Sequence, residues 1–506
     1  MNAQERLAVI DLGSNSFRLV VFAWNGERWQ RVDEIYQPVR IGEGLAASGR
    51  LGERPMARAL AALDVFAHFC RASALAPEQI DAVGTSAIRD AENAPAFLRR
   101  AREQSGLAVR VLSREEEARC GYLAAVNSTT LGDGCVVDLG GGSMQIVRVR
   151  ERRARHCGSW PLGTVRMTES FLPGREPAQE EQMARLRAHV ARELRGERWP
   201  EGGAGRMVVV GGTARNLATA AQRAAGLLVG GVQGATVERH ELGEIIERLA
   251  ALAPAERAAV PGIKPARADV VLAGAIVLDA VLDAGGFDRF EVTEAGLREG
   301  VFFQRLLAGR EPPLFEDVRR SSVLNLAGRY GVEPRHTDHV AALALGMFDE
   351  LARLGLHKGS PRERELLWAA SALHDIGMSV DYDDHHKHSQ YLILNAGLPG
   401  FTPRELAIVA QATRYHRKGM PEPGPLAPLL TKGDLERLDR CAVLLRLAED
   451  LERSRDQAVR ATELSMRNGT VSLHLVADGE TAVPRWAASR ERALFNRAFG
   501  RELAIA

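Results

Sequence analysis

The sequence predicts an α/β protein in which two related domains face each other across a cleft, followed by a helical region and a small α+β end. Three observations predict this. A glycine-rich hairpin motif occurs twice, and apolar strands alternate with amphipathic helices after each copy. Beyond about residue 309 the periodicity turns helical and histidine becomes frequent.

The repeat is explicit. Val9, Asp11, Leu12, Gly13, Ser16 and Val20 recur without a gap as Val136, Asp138, Leu139, Gly140, Ser143 and Val147. Each copy reads as apolar strand, Gly/Ser/Asn turn, apolar strand, which is a hairpin signal. The spacing is far too long for a solenoid and suits two domains that open alike. Residues 54–72 form a helical stretch with Leu60, Leu63 and Phe66 on one stripe, and residues 80–84 read as a strand leading into Thr85 and Ser86. Residues 109–112 are a further strand, and Ser113 opens a helix to about residue 125. Residues 207–210 form a strand ending in Gly211-Gly212-Thr213, a third glycine turn. Residues 310–314, Arg-Glu-Pro-Pro-Leu, read as a linker. Helical periods follow over 340–354, 363–374 and 404–415, then a strand over 471–476 and a helix over 484–499. The domains expected are therefore 1–127, 128–308, 309–455 and 456–506.

Composition bounds the function. With 506 residues, 45% apolar and 26% charged, the chain is an ordinary globular protein. A net charge of +1 gives no global field, which argues against nucleic-acid binding. Any phosphate must be held by local arginines and backbone amides. The five cysteines are scattered without a C-x-x-C, as expected of buried thiols in a reducing compartment. Residues 1–7 lack the apolar core of a signal peptide, and the run 270–282 is interrupted by Asp279 and too short to span a bilayer. A cytoplasmic protein without a transmembrane segment is expected, with peripheral membrane association left open.

The glycine turns carry the chemistry. A turn without Cβ atoms lets backbone N–H groups approach a phosphate. Gly13, Ser14, Asn15 and Ser16 in the first hairpin, Gly140, Gly141, Gly142 and Ser143 in the second, and Gly211, Gly212 and Thr213 in the third turn are the candidate phosphate contacts. Asp138, at the end of a strand, is placed to hold Mg²⁺ or another divalent ion, and Asp11 is its equivalent. Arg18, Arg89 and Arg166 follow turn motifs, where a planar guanidinium matches phosphate. Thr85 and Ser86 read either as phosphate contacts or as helix caps, the cap being favoured for Ser86.

The three glycine motifs resemble those of the actin, sugar-kinase and chaperone ATPase superfold, which implies ribonuclease H-like domains. The blocks Val9 to Phe22, Gly84 to Asp90, Ser113 to Ala118, Pro161 to Arg166 and Arg267 to Asp269, in that order, resemble the exopolyphosphatase / guanosine pentaphosphate phosphohydrolase family over about 7–305. The resemblance implies a phosphoanhydride hydrolase that takes inorganic polyphosphate or guanosine pentaphosphate, uses Mg²⁺ with K⁺ as a further candidate ion, and forms a homodimer. It implies that Glu116 is the general base, with Glu115 and Glu117 as neighbours one residue away; Ser113-x-x-Glu116 also reads as a capping box. Arg89 is the phosphate-binding arginine that it implies. Where the family has a glutamate seven residues after the second aspartate this chain has Gln145, expected to weaken the metal site.

His374-Asp375, with His339 upstream and His388 and His416 downstream, resembles an HD-type metal phosphohydrolase domain, whose last carboxylate falls at Glu449 beside Asp450. The alternative for this domain is a scaffold that dimerises or guides a long substrate. For the whole chain the sequence favours an exopolyphosphatase. It keeps open guanosine pentaphosphate hydrolysis, a non-catalytic polyphosphate or alarmone sensor, and a kinase or chaperone-like ATPase of the same superfold.

Overall fold

The computed structural model describes all residues except 1–3, 27, 198, 200–204 and 228–229. The chain forms two compact units, Met1–Gly226 with Val232–Val318, and Arg319–Ala506 with Leu227–Gly231.

The first unit contains two sheets of matching design. In one, β1 (Glu5–Leu12) pairs antiparallel with β2 (Phe17–Asn25), and β2 with β3 (Arg28–Gln37). On its other side β1 runs parallel to β4 (Ile80–Gly84), and β4 to β5 (Val109–Val111). The second sheet repeats the plan: β6 (Gly134–Leu139), β7 (Met144–Arg150) and β8 (Arg153–Trp160) form the meander. Strand β9 (Arg206–Val210) lies parallel to β6, and β10 (Thr236–Glu238) and β11 (Arg289–Val292) complete the order β10-β11-β9-β6-β7-β8. The repeated motif is thus two equivalent hairpins. Asp11 faces Arg18 across the first, and Asp138 faces Gln145 across the second.

Each sheet is buried on both faces, so its central strands read as continuous apolar runs. The outer face of the first packs on Glu53–Ala72 and Ala94–Ser105 through Leu60, Leu63, Phe66 and Phe97. The outer face of the second packs on Gly212–Ala224 and Val271–Gly285. The apolar run around Asp279 is this last helix, inside the core; no helix among the described residues is long and apolar enough to cross a membrane.

Two helices lie between the sheets. Leu297–Leu306 stacks Phe302 on Phe22 of the first sheet, centroids 4.3 Å apart, while Arg114–Val126 places Tyr122, Leu123 and Val126 on Val136, Val147 and Val208 of the second. The two helices cross with no room between them. A Cβ on Gly300 would overlap the Cys120 carbonyl, and one on Gly121 would come within 2.8 Å of Asp138 Oδ2.

In the second unit Pro334–Arg353, Pro361–Leu373, Pro403–Arg414 and Lys432–Leu451 share a core with the sheet β12 (Val459–Arg467), β13 (Thr470–Ala477) and β14 (Glu502–Ile505). The helix expected over 484–499 is two helices, Ala482–Ala488 and Arg492–Phe499, joined by a 3₁₀ turn. The buried Glu491 in that turn pairs with Arg446 Nη1 at 2.9 Å, which fixes the break.

The helix crossing yields a prediction. Gly300→Ala forces the helices apart and should cost about 1–3 kcal/mol, as overpacking of a close contact does. Urea unfolding of the full chain measures it, and an unchanged midpoint contradicts the crossing.

Candidate active site

The three glycine turns meet. The first lies between β1 and β2, the second between β6 and β7, and the third between β9 and its following helix. Ser14 Oγ and Ser86 Oγ share a hydrogen bond at 3.2 Å, and a Cβ on Gly142 would come within 2.8 Å of Ser14 Oγ. The second turn thus approaches the first closely at Gly142, against the two serine hydroxyls. Gly163 caps the helix Thr164–Phe171, whose Thr164 and Val165 amides donate to the Gly140 and Gly141 carbonyls at 2.9 and 2.8 Å. That helix start anchors the second turn from behind.

The turns enclose a cleft of about 130 Å³. Gly13, Ser14, Asn15, Ser16, Arg18, Thr85, Gly140, Gly141, Gly211 and Gly212, the expected phosphate contacts, line it. Gly142 packs on Ser14 and Ser86, while Ser143 and Thr213 are buried and stand outside the lining. Ser86 is not a cap: Thr85 holds the cap position of the short helix Ser86–Arg89, and the Ser86 hydroxyl turns to Ser14. Ser86 also lines the cleft.

Asp11, Glu117 and Asp138 form the acidic part of the cleft. The expectation for Glu116 is corrected. Glu116 is half-exposed and tied into the capping box, its Oε2 accepting from the Ser113 amide at 2.8 Å and its Oε1 pairing with Arg110 at 3.1 Å. The neighbouring Glu117 is buried and turns into the cleft, because one residue rotates a helical side chain by about 100°. Arg89 is corrected with it. Its guanidinium stands outside the lining; Nη1 donates to Glu117 Oε2 at 2.7 Å and to the Leu112 carbonyl at 2.9 Å. Arg89 thus holds the glutamate. Ser143 Oγ donates to Glu117 Oε1 at 3.5 Å, and Gln145 Nε2 donates to Ser143 Oγ at 2.8 Å. Gln145 therefore orients Ser143 and lies outside the lining, away from the place of a metal ligand that the sequence suggested. Arg166 also lies outside, bridging the Gly142 carbonyl at 3.1 Å and Asp90 at 2.9 Å.

The cleft's cations are Arg18, Arg215, Arg267 and Arg298, of which sequence reasoning named only Arg18 as a ligand. Arg215 follows the third glycine turn by three residues, and Arg298 follows Gly296-Leu297 at the start of the crossing helix. Both carry the same turn-then-arginine signal. Arg267 lies over Gly212, where a Cβ would overlap its guanidinium. Arg298 Nε and Nη1 are buried without a hydrogen-bond partner. Two buried guanidinium nitrogens without a hydrogen bond, with Glu34 no nearer than 4.0 Å to Nη1 and three other arginines alongside, are suited to an anion.

Burial pushes Asp138 up to about 7, helped by the charges of Glu117 and Asp11 and opposed by Arg215. Burial likewise raises Asp11, against Arg298 and Arg18, and raises Glu117, against Arg89. Arg215 is drawn down to about 10 by burial and then by Arg298 and Arg267, and stays a cation at neutral pH. Glu117 is buried and Asp11 and Asp138 are half-buried where the three line the cleft, and carboxylate oxygens are the ligand type that a hard divalent ion takes.

In the second unit the structure gathers His374, Asp375 and His416 as expected and corrects two partners. His339 Nε2 donates to the Val459 carbonyl at 2.9 Å, outside the cluster, and His336 takes its place, 3.1 Å from Glu449 Oε2. His388 also lies outside; His385 stands 3.1 Å from His416 and 3.5 Å from Asp375 Oδ1. Each correction is three residues, one helical turn.

The raised Asp138 gives a pH prediction. The folded protein keeps a proton on this group that the unfolded chain releases, so between the ordinary 3.8 and about 7 its contribution to stability falls as pH rises. In chelator-treated protein Asp138→Asn should be more stable than the parent above pH 7, with the gap closing towards pH 4, a span set by those two values. Thermal melts across that range check it; a gap independent of pH contradicts it.

Comparison with known proteins agrees with the fold. Residues 20–308 match the Ppx/GppA phosphatase family, and residues 318–482 match Ppx/GppA phosphatase, domain III. The crystal structure of the Aquifex aeolicus Ppx/GppA family member is 28% identical, with a TM-score of 0.52 over 61% of this chain and 99% of that one. An Aquifex aeolicus PPX-GPPA enzyme is 30% identical, with a TM-score of 0.51 over 59% and 99%. An exopolyphosphatase from Cytophaga hutchinsonii ATCC 33406 is 22% identical, with a TM-score of 0.54 over 60% and 98%, a likeness of fold. By its matched length, its duplicated hairpins and its arginine-lined glycine cleft, the chain belongs to the Ppx/GppA phosphatase family.

Proposed function

We propose that the chain is an exopolyphosphatase that releases orthophosphate from the end of inorganic polyphosphate, with Glu117 as general base. The observation that carries this is a buried glutamate, fixed by Arg89, at the wall of a cleft lined by glycine turns and four arginines. The terminal phosphate would lie between the first and second turns, with Arg18, Arg215, Arg267 and Arg298 matching its oxygens and those of the next units.

Glu117 would orient a water on the terminal phosphorus and take its proton. The new O–P bond forms as the bridging P–O bond on the opposite side breaks, leaving orthophosphate and a chain one unit shorter. Burial makes Glu117 a stronger base than a free carboxylate, while Arg89 and Ser143 favour its ionised form. Mg²⁺, held by Asp138 and Asp11, would supply neutralisation of the phosphate charge.

Orthophosphate release from long-chain polyphosphate, with guanosine pentaphosphate compared at equal end-group concentration, tests the reading. Glu117→Gln should lower the rate by roughly 10²–10⁴-fold, as loss of a general base does. Glu116→Gln should keep the parent rate. Full activity in Glu117→Gln overturns the assignment of the base. Tight binding of polyphosphate by the parent without release would instead make the protein a sensor, and faster release from guanosine pentaphosphate would transfer the assignment to that substrate.

A further inference from the structure

Two of the cleft's arginines share a countercharge that comes from outside its lining. Arg18 lies on β2, Arg298 on the helix Leu297–Leu306, and Glu34 on β3. The ladder sets Arg18 against Tyr36 and Val20 against Glu34, so these four side chains stand on one face of the first sheet. That face turns to the helix Leu297–Leu306, whose Phe302 shares an apolar cluster with Val20.

One oxygen of Glu34 serves the two guanidinium groups unequally. Its Oε1 pairs with Arg18 Nη1 at 2.7 Å and lies 4.0 Å from Arg298 Nη1. Arg18 is thereby satisfied, while Nε and Nη1 of the buried Arg298 have no hydrogen-bond partner. The other oxygen, Oε2, accepts from the exposed Arg31 at 3.4 Å. Both Arg18 and Arg298 line the cleft, and Glu34 does not. Burial lowers the proton affinity of Arg18, its neighbour Arg298 lowers it further, and Glu34 opposes both.

An oxygen held between two guanidinium groups occupies the place that an oxyanion would take. A carboxylate tethered to β3 brings a single oxygen there and leaves Arg298 short. A phosphate brings several oxygens and more charge, and can accept from both arginines at once. Arg31 gives the displaced carboxylate a second partner at the surface. The exchange therefore leaves no charge stranded.

We propose that Glu34 is an exchangeable counter-ion of the cleft: a phosphate group that binds Arg18 and Arg298 takes the place of its Oε1, and the carboxylate turns to Arg31. Resting on the reading of the cleft as a polyphosphate site, this makes Glu34 the residue that weakens anion binding there and so speeds the departure of orthophosphate and of the shortened chain. A Glu34 that merely props Arg18 has the opposite sign, since its loss would weaken binding.

The test is calorimetry on the full chain with imidodiphosphate, whose P–N–P bridge resists hydrolysis. Glu34→Gln should bind it about two- to fivefold more tightly than the parent, as the loss of a partly exposed ion pair allows. The gap should narrow as salt rises. With polyphosphate as substrate the same variant should show a lower KM without a higher kcat, and stronger inhibition by orthophosphate. Glu34→Asp keeps the charge but withdraws it by one methylene, and should fall between the two; it decides alone should Glu34→Gln fail to fold. Binding of imidodiphosphate that is unchanged or weaker in these variants overturns the exchange, as does its absence from parent and variants alike. An intact affinity gap in a chain that releases no orthophosphate from polyphosphate upholds the exchange and sinks the hydrolase reading instead.

Discussion

Burying carboxylates within reach of one another is unfavourable, and in the first unit three of them, Asp11, Glu117 and Asp138, share one cleft with four arginines. Free side chains would collapse into pairs. Here Glu117 pairs with Arg89 and Arg18 with Glu34, both at 2.7 Å, while Asp11 and Asp138 are held by the fold among the arginines of the cleft. Asp138 is fixed from below by the helix that passes over it at Gly121, Glu117 is fixed by Arg89, and Arg267 is laid over Gly212. Burial is the main cause both of the raised proton affinity of Asp138 and of the lowered one of Arg215, so each is costly to charge where it stands. A site prepared this way gains most from a ligand that is itself a polyanion with a cation, since each relieves what the fold has left unbalanced.

The duplicated frame has diverged where it matters. Asp11 and Asp138 occupy equivalent strand ends, yet the residue across the ladder is Arg18 in one copy and Gln145 in the other. Arg18 enters the cleft; Gln145 turns to Ser143, which reaches Glu117. One hairpin therefore supplies charge, and the other supplies a hydrogen-bond relay behind the glutamate.

Much of this was legible in the sequence because it is local. Strand, glycine turn and strand are adjacent in the chain, and so is the capping box at Ser113. The same box, taken literally, excludes Glu116 from the cleft, since a carboxylate bound to the helix start is not free to face elsewhere. Arg215, Arg267 and Arg298 were hidden because an arginine is solvated by default and only tertiary placement buries it. His336 and His385 were missed by one turn each: residues three apart share a helix face, so spacing alone chose the wrong member of each pair.

Arg166 joins the Gly142 carbonyl to Asp90, Glu169 accepts from the Gly44 amide at 3.2 Å, and Arg40 meets Asp269 at 2.8 Å. Each link runs from the half of the unit that carries the first sheet to the half that carries the second. The two ion pairs sit at partly exposed positions, where dissolved salt screens charge attraction increasingly as its concentration rises. These links between the halves are therefore the part of their contact that weakens as ionic strength rises, whereas the tight helix crossing at Gly300 and Cys120 carries no such dependence.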